Sequence, residues 1–501
     1  MKKYEKVFQK DYETWYGENE AYRKQVAEDP DRLAFHLMPE TGWMNDPNGL
    51  CQFKGEYHIY YQYTPFEPTG ELKLWGHYKT KDLVTYEQCQ PVLFPDSDED
   101  AHGVYSGSAF CENGKINFFY TGNVKLFDRP DYDYINSGRV SNTMYVTSED
   151  GMHFSPKKCL MTNSDYPADI SAHVRDPKII KREDGYYMVL GARDKESKGL
   201  VLVYRSDDLT NWKYHGRITT ENAFGYMWEC PDLFELDGQL CLICCPQGVE
   251  KKGYDYWNVH QCVCIPLAYD FTPGTWVIKT TDNFQMVDRG FDFYAPQSML
   301  TPDGRRVMIA WMQAWPNSKF VPDGVKYFGQ MTLPREINYR NGKLIQQPVR
   351  EIENYRGEHV HYENVEISDE TVLNGVDGRV LDMTVKLKVT DAFKKFTIKL
   401  AADETYDSTI TYDPVREVLS LDRSRSGYMY DILHTRDIQV KPADGEVTLR
   451  ILMDRFSVEI FINDGSQTAT MVLFTPQEAD NISFAADGKA QISVDKYALT
   501  F

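Results

Sequence analysis

A short segment, Lys54-Gly-Glu-Tyr-His-Ile-Tyr-Tyr61, consists of a turn dipeptide followed by an apolar run with β-strand character. The same pattern recurs four times further along the chain. The later copies are Asn113-Gly-Lys-Ile-Asn-Phe-Phe-Tyr120, Asp184-Gly-Tyr-Tyr-Met-Val-Leu190, Asp237-Gly-Gln-Leu-Cys-Leu-Ile243 and Asp303-Gly-Arg-Arg-Val-Met-Ile-Ala-Trp311. Such dipeptides tolerate the positive φ angles of a tight hairpin. Each copy therefore predicts the turn between two antiparallel strands.

The spacing of these turns indicates a repeating architecture. The five turn glycines are 59, 71, 53 and 66 residues apart, which is long enough for one four-stranded sheet per repeat. A second recurring turn lies later in three of the repeats, at residues 81–86, 148–154 and 206–212. Sheets of antiparallel strands repeated around an axis form a β-propeller. We therefore predict a five-bladed β-propeller over residues 34–345, with an ordinary series of hairpins in a sandwich as the alternative.

The register of the hairpins selects three acidic residues. The positions nine residues before the five turn glycines are Asp46, Tyr105, Asp176, Glu229 and Ala295. Equal offsets from equivalent turns imply equal heights along the propeller axis, because a slip of one residue would turn a side chain to the opposite face. Three carboxylates from three blades are thus expected to face one another at the mouth of the central channel.

Facing carboxylates suit the cleavage of a glycosidic bond. In most glycosidases one carboxyl group protonates the leaving oxygen, and the other attacks the anomeric carbon or activates water. The alternative for each position is a turn, because these residues are flanked by Asn, Pro and Gly, which favour turns. Three occurrences at one offset favour a catalytic site.

The flanking segments are similar to the signature blocks of glycoside hydrolase family 32, the β-fructofuranosidase family. The matching blocks are spread over nearly the whole chain after about residue 33. They are Trp43–Gly49, Trp75–His77, Tyr105–Ser108, Arg175–Pro177, Trp228–Pro231, Asp292–Gln297, Gly329–Glu336, Gln347–Val349 and Asp454–Gly465. The resemblance implies a propeller followed by a β-sandwich.

The resemblance also implies a role for each carboxylate. Asp46 would be the nucleophile and Glu229 the general acid and then the general base, whereas Asp176 would hold fructose hydroxyls and stabilise the transition state. We expect burial and the Asp46 charge to raise the pKa of Glu229.

Further residues of these blocks are expected to line a fructose subsite. They are Asn45, Gln62, Trp75, Ser106, Arg175 and Asp292. Two positions depart from the family pattern, because Thr64 stands where Asn is frequent and Tyr105 where Phe is more usual.

The remainder of the chain divides into three parts. Residues 1–33 are charged and rich in Tyr and Trp, and they predict a helical extension packed on the propeller. Residues 346–359 are expected to form a linker. Residues 360–501 contain short alternating strands separated by turn signals, which predict a β-sandwich domain. The chain as a whole is therefore expected to be all-β.

Composition excludes several classes of protein. The 501 residues carry a net charge of −20 without a Lys/Arg-rich run, which argues against a nucleic-acid partner. The apolar stretches have strand length, so that no membrane span is expected, and the first ten residues lack the apolar core of a secretory signal. The ten cysteines do not follow a zinc-ligand spacing. We predict a cytoplasmic enzyme without cofactor or metal, with a homodimer as one possible assembly.

The sequence identifies the substrate less precisely than it identifies the type of reaction. We favour hydrolysis of the fructosyl bond of sucrose 6-phosphate or sucrose by a retaining mechanism. The alternatives are exo-acting hydrolysis of short inulin- or levan-type fructans, inverting hydrolysis of arabinose polymers, and a sugar-binding propeller without turnover. A phosphate on the substrate would need cations at the rim of the site. The candidates are Lys73, Arg139, Arg193, Lys251 and Lys252.

Overall fold

The computed structural model describes residues 6–315, 324–428 and 433–501. Most of these residues form seven β-sheets. The helical extension contains two α-helices, Gln9–Glu18 and Glu20–Ala27, and residues 1–5 of the predicted extension lie outside the described residues. Val7 and Tyr12 pack with Leu74 and Phe94, which attaches this segment to the first blade.

Five sheets form the blades of a propeller, each with four antiparallel strands. The strands of blades 1 and 2 are Gly42–Phe53, Glu56–Thr64, Leu74–Thr80, Glu87–Leu93, Val104–Glu112, Lys115–Lys125, Arg139–Ser148 and Lys158–Met161. Those of blades 3, 4 and 5 are Ile170–Arg182, Gly185–Asp194, Gly199–Ser206, Lys213–Thr220, Met227–Leu236, Gln239–Gln247, Val263–Leu267, Gln285–Met286, Tyr294–Leu300, Arg306–Trp311, Arg335–Arg340 and Lys343–Pro348. Two short strands, Tyr327–Phe328 and Gly274–Ile278, extend blades 1 and 3 by parallel pairing. The predicted hairpins join the first two strands of every blade.

The blades close into a ring. The first strand of each blade contacts the first strand of the next, and the first strand of blade 5 contacts that of blade 1. These five strands therefore surround the axis, as predicted from the repeat.

The C-terminal region is a sandwich of a six-stranded and a five-stranded sheet. The first sheet contains, in spatial order, Arg356–Ile367, Ala490–Leu499, Val380–Lys388, Glu446–Asp454, Ser457–Ile462 and Gln467–Val472. The second contains Thr435–Gln439, Val418–Arg425, Asp407–Asp413, Phe393–Ala402 and Asn481–Gly488. Their inward-facing apolar side chains form a separate core, because alternate residues of each strand point between the sheets. The predicted all-β propeller and sandwich are confirmed.

The connection between the two domains is shorter than the predicted linker of residues 346–359. The last propeller strand continues to Pro348, and the first sandwich strand begins at Arg356. A 3-10 helix, Arg350–Tyr355, fills the interval.

A buried polar network joins the propeller to the sandwich. His36 Nδ1 lies 2.9 Å from Asp454 Oδ2, and its Nε2 lies 2.8 Å from Glu459 Oε1. Arg335 donates from Nη2 to Glu459 Oε2 at 2.6 Å and from Nη1 to Asp288 Oδ2 at 3.1 Å. All of these side chains are buried, and each charge has an opposite partner, which is the condition for burying charges without a large penalty.

Among the described residues, no helix has both the length and the apolar character needed to cross a membrane.

Candidate active site

The five inner strands share one irregularity near the predicted level. In each blade the pairing of the first two strands breaks at a bulge, which lies between Met44 and Pro47 in blade 1 and between Glu229 and Asp232 in blade 4. The equivalent breaks in blades 2, 3 and 5 lie at residues 105–107, 175–178 and 294–297. A bulge redirects a side chain that regular pleating would hold in the sheet. Four of the five breaks contain a proline, a residue that is tolerated in such interruptions.

Asp46 is fixed by two hydrogen bonds. Ser106 Oγ donates to Asp46 Oδ2 at 2.6 Å, and Asn45 Nδ2 donates to Oδ1 at 3.0 Å. Gln62 Nε2 donates to Ser106 Oγ at 3.2 Å, and Trp43 Nε1 donates to Asn45 Oδ1 at 2.9 Å. Burial, assisted by the Glu229 charge, nevertheless raises the pKa of Asp46 against the two hydrogen bonds.

Glu229 is held by donors from three blades. Arg175 donates to Glu229 Oε1 from Nε at 3.0 Å and from Nη2 at 2.6 Å. Tyr294 Oη donates to Oε2 at 2.6 Å, and Gln247 Nε2 donates to the same oxygen at 2.8 Å. These charge-assisted contacts stabilise the carboxylate form in a fixed orientation.

Asp176 adopts the left-handed conformation, with φ = 64°. Its amide donates to Thr121 Oγ1 at 2.9 Å, and its Oδ2 accepts the Cys230 amide at 2.8 Å. Because a non-glycine residue rarely occupies this region, the conformation is held by the surrounding contacts and is typical of a functional position. The contact with Cys230 places Asp176 beside Glu229, and Cys230 Sγ in turn lies 3.9 Å from Asp46 Oδ2. The three carboxylates therefore converge on one site.

The pKa values of the site carboxyl groups correct one expectation, the upward shift predicted for Glu229. Burial alone would raise the pKa of Glu229, but the Arg175 charge and the Tyr294 hydrogen bond lower it overall. Burial raises the pKa of Asp176 to about 7 despite the neighbouring Arg175 charge. The predicted upward shift at Glu229 is thus wrong for the free site. The reason is that Arg175, on the strand of blade 3, makes a paired contact across to blade 4.

His173 orients Arg175. Because Nε2 of His173 lies 3.2 Å from the carbonyl oxygen of Tyr134, this nitrogen carries the proton, and Nδ1 accepts from Arg175 Nη1 at 3.1 Å. Burial and the Arg175 charge lower the pKa of His173 to about 2, so that the ring is neutral. The sequence analysis missed His173, Tyr294, Gln247 and Thr121. Tyr294 offered one signal, since it precedes the axial position Ala295.

Two predicted subsite residues occupy other positions. Trp75 is fully buried among Tyr60, Phe118 and Tyr120, and its Nε1 donates to the Tyr105 carbonyl oxygen at 3.2 Å. It therefore supports the inner strand of blade 2 from behind.

Asp292 points to the sandwich. Its Oδ2 accepts from the Arg423 guanidinium and from the Val472 amide, the latter at 2.8 Å. Only 1 % of Asp292 is exposed. The expected fructose contact of Asp292 is therefore corrected to an ion pair with Arg423. Spacing could not indicate this pair, because the two residues are distant in sequence.

The candidate phosphate cations fall into two groups. Arg139 lies over the rings of Tyr105 and Tyr134, and Arg193 lies over that of Tyr226. Both arginine charges help to lower the pKa of His173, the residue that contacts Arg175.

The lysines are placed differently. Lys73 is buried, and burial lowers its pKa to about 7 although the Asp46 charge opposes the shift. Lys251 is exposed and lies over the Trp257 ring, and the exposed Lys252 forms a backbone bridge with Asp255.

A five-bladed propeller with three convergent carboxylates at its axis, followed by a sandwich, defines a glycoside hydrolase. Residues 36–348 match the glycosyl hydrolases family 32 N-terminal domain, and residues 351–499 match the glycosyl hydrolases family 32 C-terminal domain. The chain belongs to glycosyl hydrolase family 32.

Relatives support the same assignment over nearly the whole chain. A sucrose-6-phosphate hydrolase from Staphylococcus xylosus is 32 % identical over 484 residues, which cover 96 % of this chain and 95 % of the relative. The structure of a sucrose-6-phosphate hydrolase from Lactobacillus gasseri superposes with a TM-score of 0.85 at 28 % identity, covering 99 % of this chain and 98 % of that one. A family 32 β-fructofuranosidase from Bombyx mori gives 0.79 at 30 % identity, with 97 % and 98 % covered.

Proposed function

We propose that the protein is a retaining β-fructofuranosidase that hydrolyses the fructosyl bond of sucrose 6-phosphate or sucrose. The observation that carries the proposal is the convergence of Asp46, Asp176 and Glu229 from three inner strands, each held by the hydrogen bonds described above. The named activities of the relatives support the substrate class. The finer predictions, a cytoplasmic location and a homodimer, are part of this proposal.

In the first step, Asp46 attacks C2 of the fructosyl unit. The bond from C2 to the bridging oxygen breaks, and Glu229 gives its proton to that oxygen, which leaves as the glucosyl hydroxyl. In the second step, Glu229 takes a proton from water, and the water oxygen attacks C2 and displaces Asp46. Two inversions at C2 retain the configuration. Asp176 stabilises the positive charge that develops on the sugar ring.

Glu229 must carry a proton before it acts, although Arg175 favours its charged form in the free site. We infer that fructose hydroxyls accept hydrogen bonds from Arg175 and thereby weaken its contact with Glu229. The pKa of Glu229 then rises in the complex, as a general acid requires.

The proposed rise in the pKa of Glu229 on substrate binding should be visible in the pH dependence of the kinetic constants. The pH profile of kcat/KM reports groups of the free enzyme, and that of kcat reports groups of the complex. We expect the basic limb to lie at higher pH in the kcat profile than in the kcat/KM profile. If the basic limbs of the two profiles lie at the same pH, Arg175 does not shift its hydrogen bonds from Glu229 to the substrate.

We propose that Arg139 and Arg193 bind the phosphate group when the substrate is sucrose 6-phosphate. Arg139 packs over the ring of Tyr134, which contacts His173, and Arg193 follows Ala192, which pairs with Val174 on the strand that carries Arg175. A phosphate dianion would pair with these guanidinium groups through charge-assisted hydrogen bonds, and it must be bound locally because the chain carries a net charge of −20. Lys73 is less suitable, because burial lowers the pKa of its amine to about 7.

A comparison of substrates tests this assignment. We expect Arg139→Gln and Arg193→Gln to raise KM for sucrose 6-phosphate by about 10- to 100-fold, which corresponds to about 1.5–3 kcal/mol for a charged hydrogen bond, and to leave KM for sucrose nearly unchanged. Lys386→Gln removes an exposed charge on the sandwich, away from all candidate cations, and serves as the control. If neither arginine variant separates the two substrates, the phosphate assignment fails, whereas the β-fructofuranosidase assignment is retained.

A further inference from the structure

A second cluster of polar side chains lies on the sandwich, outside the carboxylate site. His359 Nε2 lies 3.0 Å from Asp495 Oδ1, and His361 Nδ1 lies 2.8 Å from the same oxygen. One possible ligand atom from each residue lies within 4.8 Å of the others. All three side chains are at least partly exposed, so that an ion could reach them from solution.

Strand geometry explains the cluster. His359 and His361 are separated by one residue on the strand Arg356–Ile367, and alternate residues of a strand point to the same face. Val360 and Tyr362 pack against the sandwich core, so that the two histidines face outward. Register pairs His361 with Asp495 on the adjacent antiparallel strand Ala490–Leu499. His359 reaches the same carboxylate along the diagonal.

Both imidazole rings are oriented by further contacts. The ring of His359 stacks on Tyr497, with centroids 4.2 Å apart and an angle of 4° between the planes. His361 Nε2 lies 3.6 Å from Glu363 Oε2, on the side of the ring opposite Asp495. Glu363 is itself held, because its Oε1 accepts from Asn364 Nδ2 at 2.8 Å and from Ser493 Oγ at 3.3 Å.

This arrangement has the features of a metal site. Zn²⁺ binds imidazole nitrogen and carboxylate oxygen at about 2.0–2.2 Å, so that ligand atoms around one ion lie roughly 3–3.6 Å apart. Here each nitrogen lies 2.8–3.0 Å from the Asp495 oxygen and all three atoms lie within 4.8 Å of one another, so that small side-chain shifts would bring them around one ion. A histidine that binds a metal through one nitrogen usually donates its other N–H to a carboxylate, and the Glu363 carboxylate lies on that side of His361 at 3.6 Å, slightly beyond hydrogen-bond distance. Two nitrogen donors favour ions such as Zn²⁺ over Mg²⁺ or Ca²⁺, which prefer oxygen.

We propose that His359, His361 and Asp495 bind one Zn²⁺-type divalent ion, with water as a further ligand and Glu363 orienting His361. The sequence analysis predicted no metal, because 134 residues separate His361 from Asp495 and only the pairing of these strands brings them together. The ion would link the first and last strands of the sandwich. It therefore has a structural role, separate from sugar hydrolysis.

Isothermal titration with ZnCl₂ tests the proposal. Parent and variants carry Cys111→Ser and Cys159→Ser, which remove the two exposed thiols, and the unmodified chain is titrated in parallel. We expect one ion per chain in the parent and at least a tenfold loss of affinity in each of His359→Ala, His361→Ala and Asp495→Asn. Glu363→Gln is expected to weaken binding by about 10- to 100-fold. Zn²⁺ should raise the melting temperature of the parent but not of the ligand variants.

His153→Ala is the matched control, because His153 also contacts an exposed aspartate, Asp150, at 2.6 Å but lacks a second histidine. This variant should bind Zn²⁺ as tightly as the parent. Unchanged sucrose hydrolysis in all variants would show that they fold. The proposal is overturned if the parent binds no Zn²⁺, or if the ligand variants bind it as tightly as the parent does.

Discussion

Replacement of Ser106 by alanine removes a short hydrogen bond from the proposed nucleophile without removing any charge. Ser106 Oγ donates to Asp46 Oδ2 at 2.6 Å, and this contact lowers the pKa of a carboxyl group that burial raises. A hydrogen bond to a charged group contributes about 1.5–3 kcal/mol. At 1.36 kcal/mol per pKa unit, its loss should raise the pKa of Asp46 by about 1–2 units.

The assay is the pH dependence of kcat with saturating sucrose. The acidic limb, which we assign to ionisation of Asp46, should move to higher pH by about 1–2 units, so that kcat well below the limb falls by about 10- to 100-fold. Ser108→Ala is the control, because this buried serine of the same strand donates to the Pro177 carbonyl oxygen and not to Asp46. An acidic limb that is unchanged in Ser106→Ala, or that moves equally in both variants, would refute the reasoning.

Four further outcomes are expected. Asp46→Ala should abolish turnover and leave the circular dichroism spectrum unchanged. Hydrolysis with retention of configuration that persists in this variant would exclude Asp46 as the nucleophile. Glu229→Gln should impair sucrose far more than a fructoside with an activated leaving group, since the latter needs little protonation, whereas equal losses would argue against its role as acid. Asp176→Asn should lower kcat more than it raises KM, and an effect on KM alone would indicate uniform binding. Burial lowers the pKa of His36, but hydrogen bonds to Asp454 and Glu459 outweigh it and raise the pKa from 6.5 to about 9. Protonated His36 therefore stabilises the folded state by about 3 kcal/mol below pH 6.5, and this contribution is lost as the pH rises through 9. Chemical denaturation should show the decline in the parent and not in His36→Gln.

The main features of the catalytic domain were predictable because they depend on local register. The offset of nine residues from each turn glycine selects Asp46, Asp176 and Glu229, and in the structure these residues lie at equivalent interruptions of three inner strands. Hairpin turns and strand periodicity are encoded by neighbouring residues, so that the sequence alone carries this information.

Other features depend on contacts between distant segments. Asp292 belongs to a matching sequence block, yet it pairs with Arg423 across the domain interface. The lowered pKa of Glu229 depends on Arg175, which reaches it from a neighbouring blade. Neither contact follows from spacing, because each requires the relative position of two sheets.

The configuration of the first product tests the central claim most directly. Sucrose hydrolysis followed by ¹H NMR, at times short compared with mutarotation, identifies the anomer of fructose that leaves the enzyme. Double displacement through Asp46 and Glu229 predicts β-fructofuranose as the initial product. Initial release of the α-anomer would contradict the proposed mechanism.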